Sequence, residues 1–190
     1  MKVEIASLSI HEYLLVALLL ITLAFVAGCG GEAGPLTEES LKNAKYQGIG
    51  IYPEGVKLTD GKFEGYFVAS GSSRSSVIFL EPCAFRDLDG DGLDDAVVLL
   101  AENTGGGGVF VYLAAVLNQS GKPVNVATTR LSNPAQIEEL AIEGGQITVR
   151  MLTHSPGDPM CCPSEVTKVG YALEGGNLIP LEIMVNRSQQ

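Results

Sequence analysis

The chain has 190 residues, with 22 Asp and Glu against 12 Lys and Arg, a formal net charge of −10, and 46% apolar side chains. That balance argues against nucleic acid as a partner, because binding it needs clustered Lys and Arg that displace counterions. The length suits one domain with a full core and is short for two.

From Tyr13 to Ala27 the chain is almost wholly apolar, a run that suits a signal-peptide core and falls short of the ~20 residues that cross a bilayer. It closes on Val26, Ala27, Gly28 and Cys29, which resemble the lipobox of bacterial lipoproteins position by position. The leader departs from that pattern at its front, where Lys2 is the only basic side chain and Glu4, His11 and Glu12 stand where positive charge is usual. The resemblance implies a signal peptide over 1–28, lipidation of the Cys29 thiol, and a lipid-anchored, extracytoplasmic place at the cell membrane or outer membrane. Acyl chains contribute about 0.8 kcal/mol per buried methylene, so two or three of them make attachment effectively permanent. Residues 29–36 are then a lipidated tether, and Gly30 to Pro35 at ~3.3–3.6 Å each hold the domain within roughly 20 Å of the lipid.

The rest, 37–190, reads as a single β-rich domain. Thr37 is placed to cap a short helix over 37–45, with Glu38 and Glu39 in its first turn and Lys42 and Lys45 in its last. Leu36 and Leu41 occupy hydrophobic-staple positions. Beyond it, Asp60-Gly61, Gly144-Gly145 and Gly175-Gly176 separate runs rich in Val, Ile, Leu, Thr and Tyr, the mark of hairpin turns. Val77 to Leu80, Ala96 to Ala101 and Val109 to Leu117 are continuously apolar and predict strands covered on both faces. Ile147, Val149 and Met151 alternate with Thr148, Arg150 and Leu152, which predicts a half-exposed strand nearer an edge. The fold class expected is mainly β: an antiparallel meander, curled sheet or sandwich, with one short N-terminal helix.

Between the first two apolar runs stands Asp87-Leu88-Asp89-Gly90-Asp91-Gly92-Leu93-Asp94-Asp95. Aspartates at its first, third and fifth positions converge on one ion if the loop turns sharply at Gly92, with the Leu93 carbonyl and Asp95 closing the shell. Val98 occupies the twelfth position, where an EF-hand carries glutamate, so a full EF-hand is excluded. The spacing resembles the short calcium loop of FG-GAP and VCBS repeats, which a strand such as Ala96 to Leu100 follows. Only one copy is present, so the resemblance implies the loop's ion chemistry and no propeller. Calcium is the cofactor expected, in a structural role, with a solvated Asp/Gly turn as the alternative.

Cys29 apart, the cysteines are Cys83, Cys161 and Cys162. Adjacent cysteines rarely bridge each other, so the expected disulfide joins Cys83 to Cys161 or Cys162; a loop of roughly 80 residues would contribute up to ~4 kcal/mol. A zinc site would need His154 as fourth ligand, and a thiol nucleophile would need His154 as base, without a placeable orienting acid or oxyanion donor. The loop 154–163 carries Pro156, Pro159 and Pro163 with the paired cysteines. Gly105 to Gly108 lacks the Lys-Ser/Thr of a phosphate-binding loop and reads as a hairpin connection.

Taken with the aspartate loop, Gly105 to Gly108, Leu113 to Asn118 and Asp158 to Pro163 are similar to a family of uncharacterised bacterial envelope lipoproteins. That resemblance implies kinship and location and carries no activity. The residues assign no catalytic set. The expectation is a non-catalytic envelope module that binds a protein or ligand at the membrane face; the alternatives are a structural or stress-linked lipoprotein and a thiol-dependent envelope enzyme.

Overall fold

The computed structural model describes residues 34–66, 74–106, 108–131, 136–159 and 161–187, with backbone alone from 182 onward. The leader and Cys29 lie outside the described residues. Helix α1 spans Glu38–Lys42. The Thr37 hydroxyl accepts the Ser40 N–H at 3.1 Å, and the Ser40 hydroxyl oxygen accepts the Thr37 N–H at 3.0 Å, a reciprocal cap on two otherwise orphaned donors. Leu36 and Leu41 are both buried beneath it. The helix ends before Lys45, because Lys45–Tyr46 (β1) pairs with Val56–Lys57 (β2), and cross-strand bonding outcompetes one more helical turn.

Two antiparallel meanders follow. The first holds β3 (Lys62–Tyr66), β4 (Arg74–Arg86), β5 (Asp95–Asn103), β6 (Val109–Gln119) and β7 (Lys122–Arg130) in sequence order. The second holds β8 (Gln136–Glu143), β9 (Gln146–Thr153), β10 (Glu165–Glu174) and β11 (Asn177–Arg187). The three dipeptide turns expected from sequence have positive φ at both residues, as the tightest hairpin connection requires, and Ser120-Gly121 between β6 and β7 adds a fourth.

Strand β5 explains the layering. Ala96, Val98 and Leu100 point into one core with Val77, Phe79, Ala114 and Val116, roofed by Leu41, Tyr46, Ile49, Val56 and Leu58 from the N-terminal segment. Val97 and Leu99 point the other way, into a core with Leu113 and Ala115 that the second sheet closes through Ile142, Ile147, Val149 and Tyr171. Double coverage therefore holds for β5 from Ala96 to Leu100, and Ala101 is half-buried. It holds only in part for the flanking strands, where Ile78 is 42% and Val109 62% exposed. The alternation in β9 is present, with Ile147, Val149 and Met151 buried, but β9 lies between β8 and β10 and not at an edge. A period of two reports one open face of a sheet, and an inner strand such as β9 can have one as well as an edge strand.

Candidate functional site

The aspartate loop joins β4 to β5 and is wound around its own carboxylates. Asp87 accepts the Gly90 N–H at 2.7 Å on Oδ1 and the Gly92 N–H at 3.0 Å on Oδ2. Asp89 Oδ1 accepts the Asp91 N–H at 3.1 Å, and Asp91 Oδ1 accepts the Leu93 N–H at 2.8 Å. Gly90 and Gly92 both sit at φ +86°, in the left-handed region where a side chain strains the backbone. Asp95 is fully buried. Its Oδ2 accepts the Leu88 N–H at 2.9 Å and its Oδ1 the Asn118 N–H at 2.8 Å.

Carboxylate oxygens of Asp87, Asp89 and Asp95 lie within 4.8 Å of one another. Two oxygens bound to one calcium at about 2.3–2.6 Å stand no more than roughly 5 Å apart, so the trio fits a single coordination shell, and hard oxygen donors suit that cation. Among the described residues no other three His, Cys, Asp or Glu side chains converge in this way. Asp91 stands outside the trio, committed to Leu93, and Asp94 is exposed. Burial holds the Asp95 carboxyl above the usual aspartate range; its two main-chain donors pull it down, and the charges of Asp89 and Asp91 add to the rise.

The cysteine pairing is a correction. Cys161 and Cys162 are bonded to each other, and Cys83 is free. Cys83 lies on β4, half-buried against the core beneath the N-terminal segment, whereas the pair lies in the β9–β10 connection of the sheet that covers the opposite face. Burial pushes the Cys83 thiol up, so it is a poor nucleophile. The Gly105 to Gly108 connection is the β5–β6 hairpin loop, closed by the Thr104 N–H donating to the Gly108 carbonyl at 3.4 Å.

A second polar centre was not singled out from sequence. Glu102, at the end of β5's apolar run, is buried and accepts the Tyr112 hydroxyl at 2.8 Å and the Ile51 N–H at 3.3 Å. Burial and the Glu102 carboxylate push the Tyr112 phenol up to about 12. The available signal was a lone charge in register with apolar neighbours. Position 102 shares the parity of Ala96, Val98 and Leu100, so its side chain had to face the first core.

No helix among the described residues is long and apolar enough to cross a membrane. No family model, curated protein or solved structure matches this chain.

Proposed function

We propose that this chain is an extracytoplasmic lipoprotein held at the membrane by Cys29, whose non-catalytic β-domain, braced by calcium, serves as a binding module of the envelope. The observation that carries the ion is the convergence of Asp87, Asp89 and Asp95 within one coordination diameter. The lipobox resemblance and the short tether support the location. The two fit together: an extracellular calcium loop binds at about 10⁻⁴ to 10⁻³ M, strong enough only where divalent cations are plentiful.

Thermal melts in chelator and in millimolar calcium test the ion. At about ten times the dissociation constant the gain is ~1.4 kcal/mol, a rise of roughly 3–5 °C. No rise overturns the calcium assignment. Fatty-acid labelling and membrane fractionation of the Cys29→Ala variant test the anchor; a variant still labelled and membrane-bound overturns it. Binding is tested with photocrosslinkers at Ile78 and Val109, two of the exposed apolar side chains on flanking strands. Specific adducts support the module; their absence favours the structural alternative.

A further inference from the structure

The β9–β10 connection holds the molecule's one disulfide among the described residues, and it is unsuited to stabilising the fold. A disulfide acts chiefly by removing freedom from the unfolded chain, an effect that grows with the loop it closes. Cys161 and Cys162 are neighbours, so their bond closes only the eight-membered ring between them and ties no distant parts of the chain together. Both residues are exposed. An exposed disulfide is open to attack by a thiolate, whereas structural ones are usually shielded.

The loop keeps its shape by other means. Asp158 Oδ2 accepts both the Ser155 N–H at 2.7 Å and the Ser164 N–H at 2.9 Å. The Ser164 hydroxyl donates to the same carboxylate at 2.9 Å. Within that clasp the Cys162 N–H donates to the Pro159 carbonyl at 2.9 Å. The clasp joins the residues flanking the cysteines and involves neither sulfur. Opening the disulfide therefore leaves the loop's ends tied.

We infer that Cys161 and Cys162 form a reversible thiol–disulfide exchange site whose co-reactant is a dithiol. A thiolate of the co-reactant attacks one sulfur of the pair; the Cys161–Cys162 bond breaks, a mixed disulfide forms, and the released thiolate takes a proton. The second thiol of the co-reactant then attacks the mixed disulfide. It leaves oxidised as its own disulfide, and both cysteines end as thiols, two electrons richer. Cys83 takes no part, being half-buried on the first sheet with its thiol pushed up by burial. This inference does not rest on the calcium or binding assignments.

The experiment uses the full chain isolated without reductant. Free thiols are blocked with one alkylating agent, the native protein is treated with millimolar dithiothreitol, and a second agent of different mass then marks the thiols released. Mass spectrometry of the peptide bearing Cys161 and Cys162 separates this pair from Cys29 and Cys83. The expected result is no first label on that peptide and two of the second. The melting temperature should move by less than about 3 °C, the shift of a bond that does not brace the domain. Glutathione disulfide added after removal of the dithiol should restore the unlabelled state. First label on the pair, release only in denaturant, a larger fall in melting temperature, or failure to reoxidise would each overturn the proposal.

Discussion

The buried carboxylate of Asp95 accepts the main-chain N–H of Asn118 at 2.8 Å, across 23 residues of sequence. Asn118 in turn uses its side chain on the Gly34 carbonyl at 3.1 Å and the Gly121 N–H at 2.8 Å. One aspartate thus ties the acidic loop to the β6–β7 hairpin and, through Asn118, to the start of the described chain. Its two oxygens hold main-chain donors and still retain lone pairs for a cation. Asp95 therefore serves the fold whether or not an ion is bound, whereas Asp89, exposed, holds only the N–H of Asp91 two residues on.

That division predicts two different mutants. Asp95→Ala strands the buried N–H groups of Leu88 and Asn118 and should cost about 2–4 kcal/mol in chelator as well as in calcium. Asp89→Ala, at an exposed position, should stay within about 0.5 kcal/mol in chelator and lose the calcium-induced rise. Melts of both variants in each condition decide; equal baseline losses would mean that the loop does not divide its work in this way.

Asp158 sets a pH dependence. The Ser155 N–H, then the hydroxyl and N–H of Ser164, hold its carboxyl below the usual aspartate value of 3.8. A carboxyl lowered on folding contributes stability that is fully present above its unfolded pKa and lost as pH falls through the folded one. The amide resonances of Ser155 and Ser164 should therefore keep their positions down to about pH 4 and shift together below it. Asp158→Asn should remove that titration while leaving the sheets intact, as followed by NMR.

Removing the hydroxyl of Tyr112 should cost more than an ordinary core change. Tyr112→Phe takes from the buried Glu102 its hydroxyl donor, leaving the Ile51 N–H at 3.3 Å. The expected loss is about 1.5–3 kcal/mol, and the same change made on Glu102→Gln should cost less, since the charge is then gone. Denaturant melts of the two single variants and the double variant measure the coupling; simple additivity would show the pair to be independent.

Gly105→Ala should be worse than a usual glycine replacement. Gly105 has φ +76°, and a Cβ there would stand 2.2 Å from the main-chain oxygen of Arg74. Backbone cannot rotate aside as a side-chain tip can, so strain and clash together should cost at least about 2 kcal/mol. Gly106→Ala, with nothing within 4 Å, is the control. A melt in which the two variants match would contradict the close approach.

Much of the scaffold was legible because it obeys rules acting within a few residues. The Thr37 cap, the paired positive-φ turns and the doubly buried β5 are each written in adjacent side chains. So is the winding of the aspartate loop, since Asp87, Gly90 and Gly92 meet within a single turn of chain. The aspartate spacing alone did not show that Asp91 would leave the trio or that Asp95 would be buried beneath Asn118. The second depends on where the β6–β7 hairpin lies, since its Asn118 N–H donates to Asp95.

The sequence by itself determined the composition class, the β character, the turns and the acidic loop, because period, capping and turn chemistry act locally. Tertiary structure alone decided the place of β9 inside its sheet, the burial of Glu102 against Tyr112 and the separation of Cys83 from the Cys161–Cys162 pair. Cys83 lies against the core on one face of the first sheet, and Cys161 and Cys162 lie in a loop between strands of the sheet that covers the other. Spacing along the chain carries no information about which face of a layered sheet two distant residues will occupy, and that face settles which groups can touch.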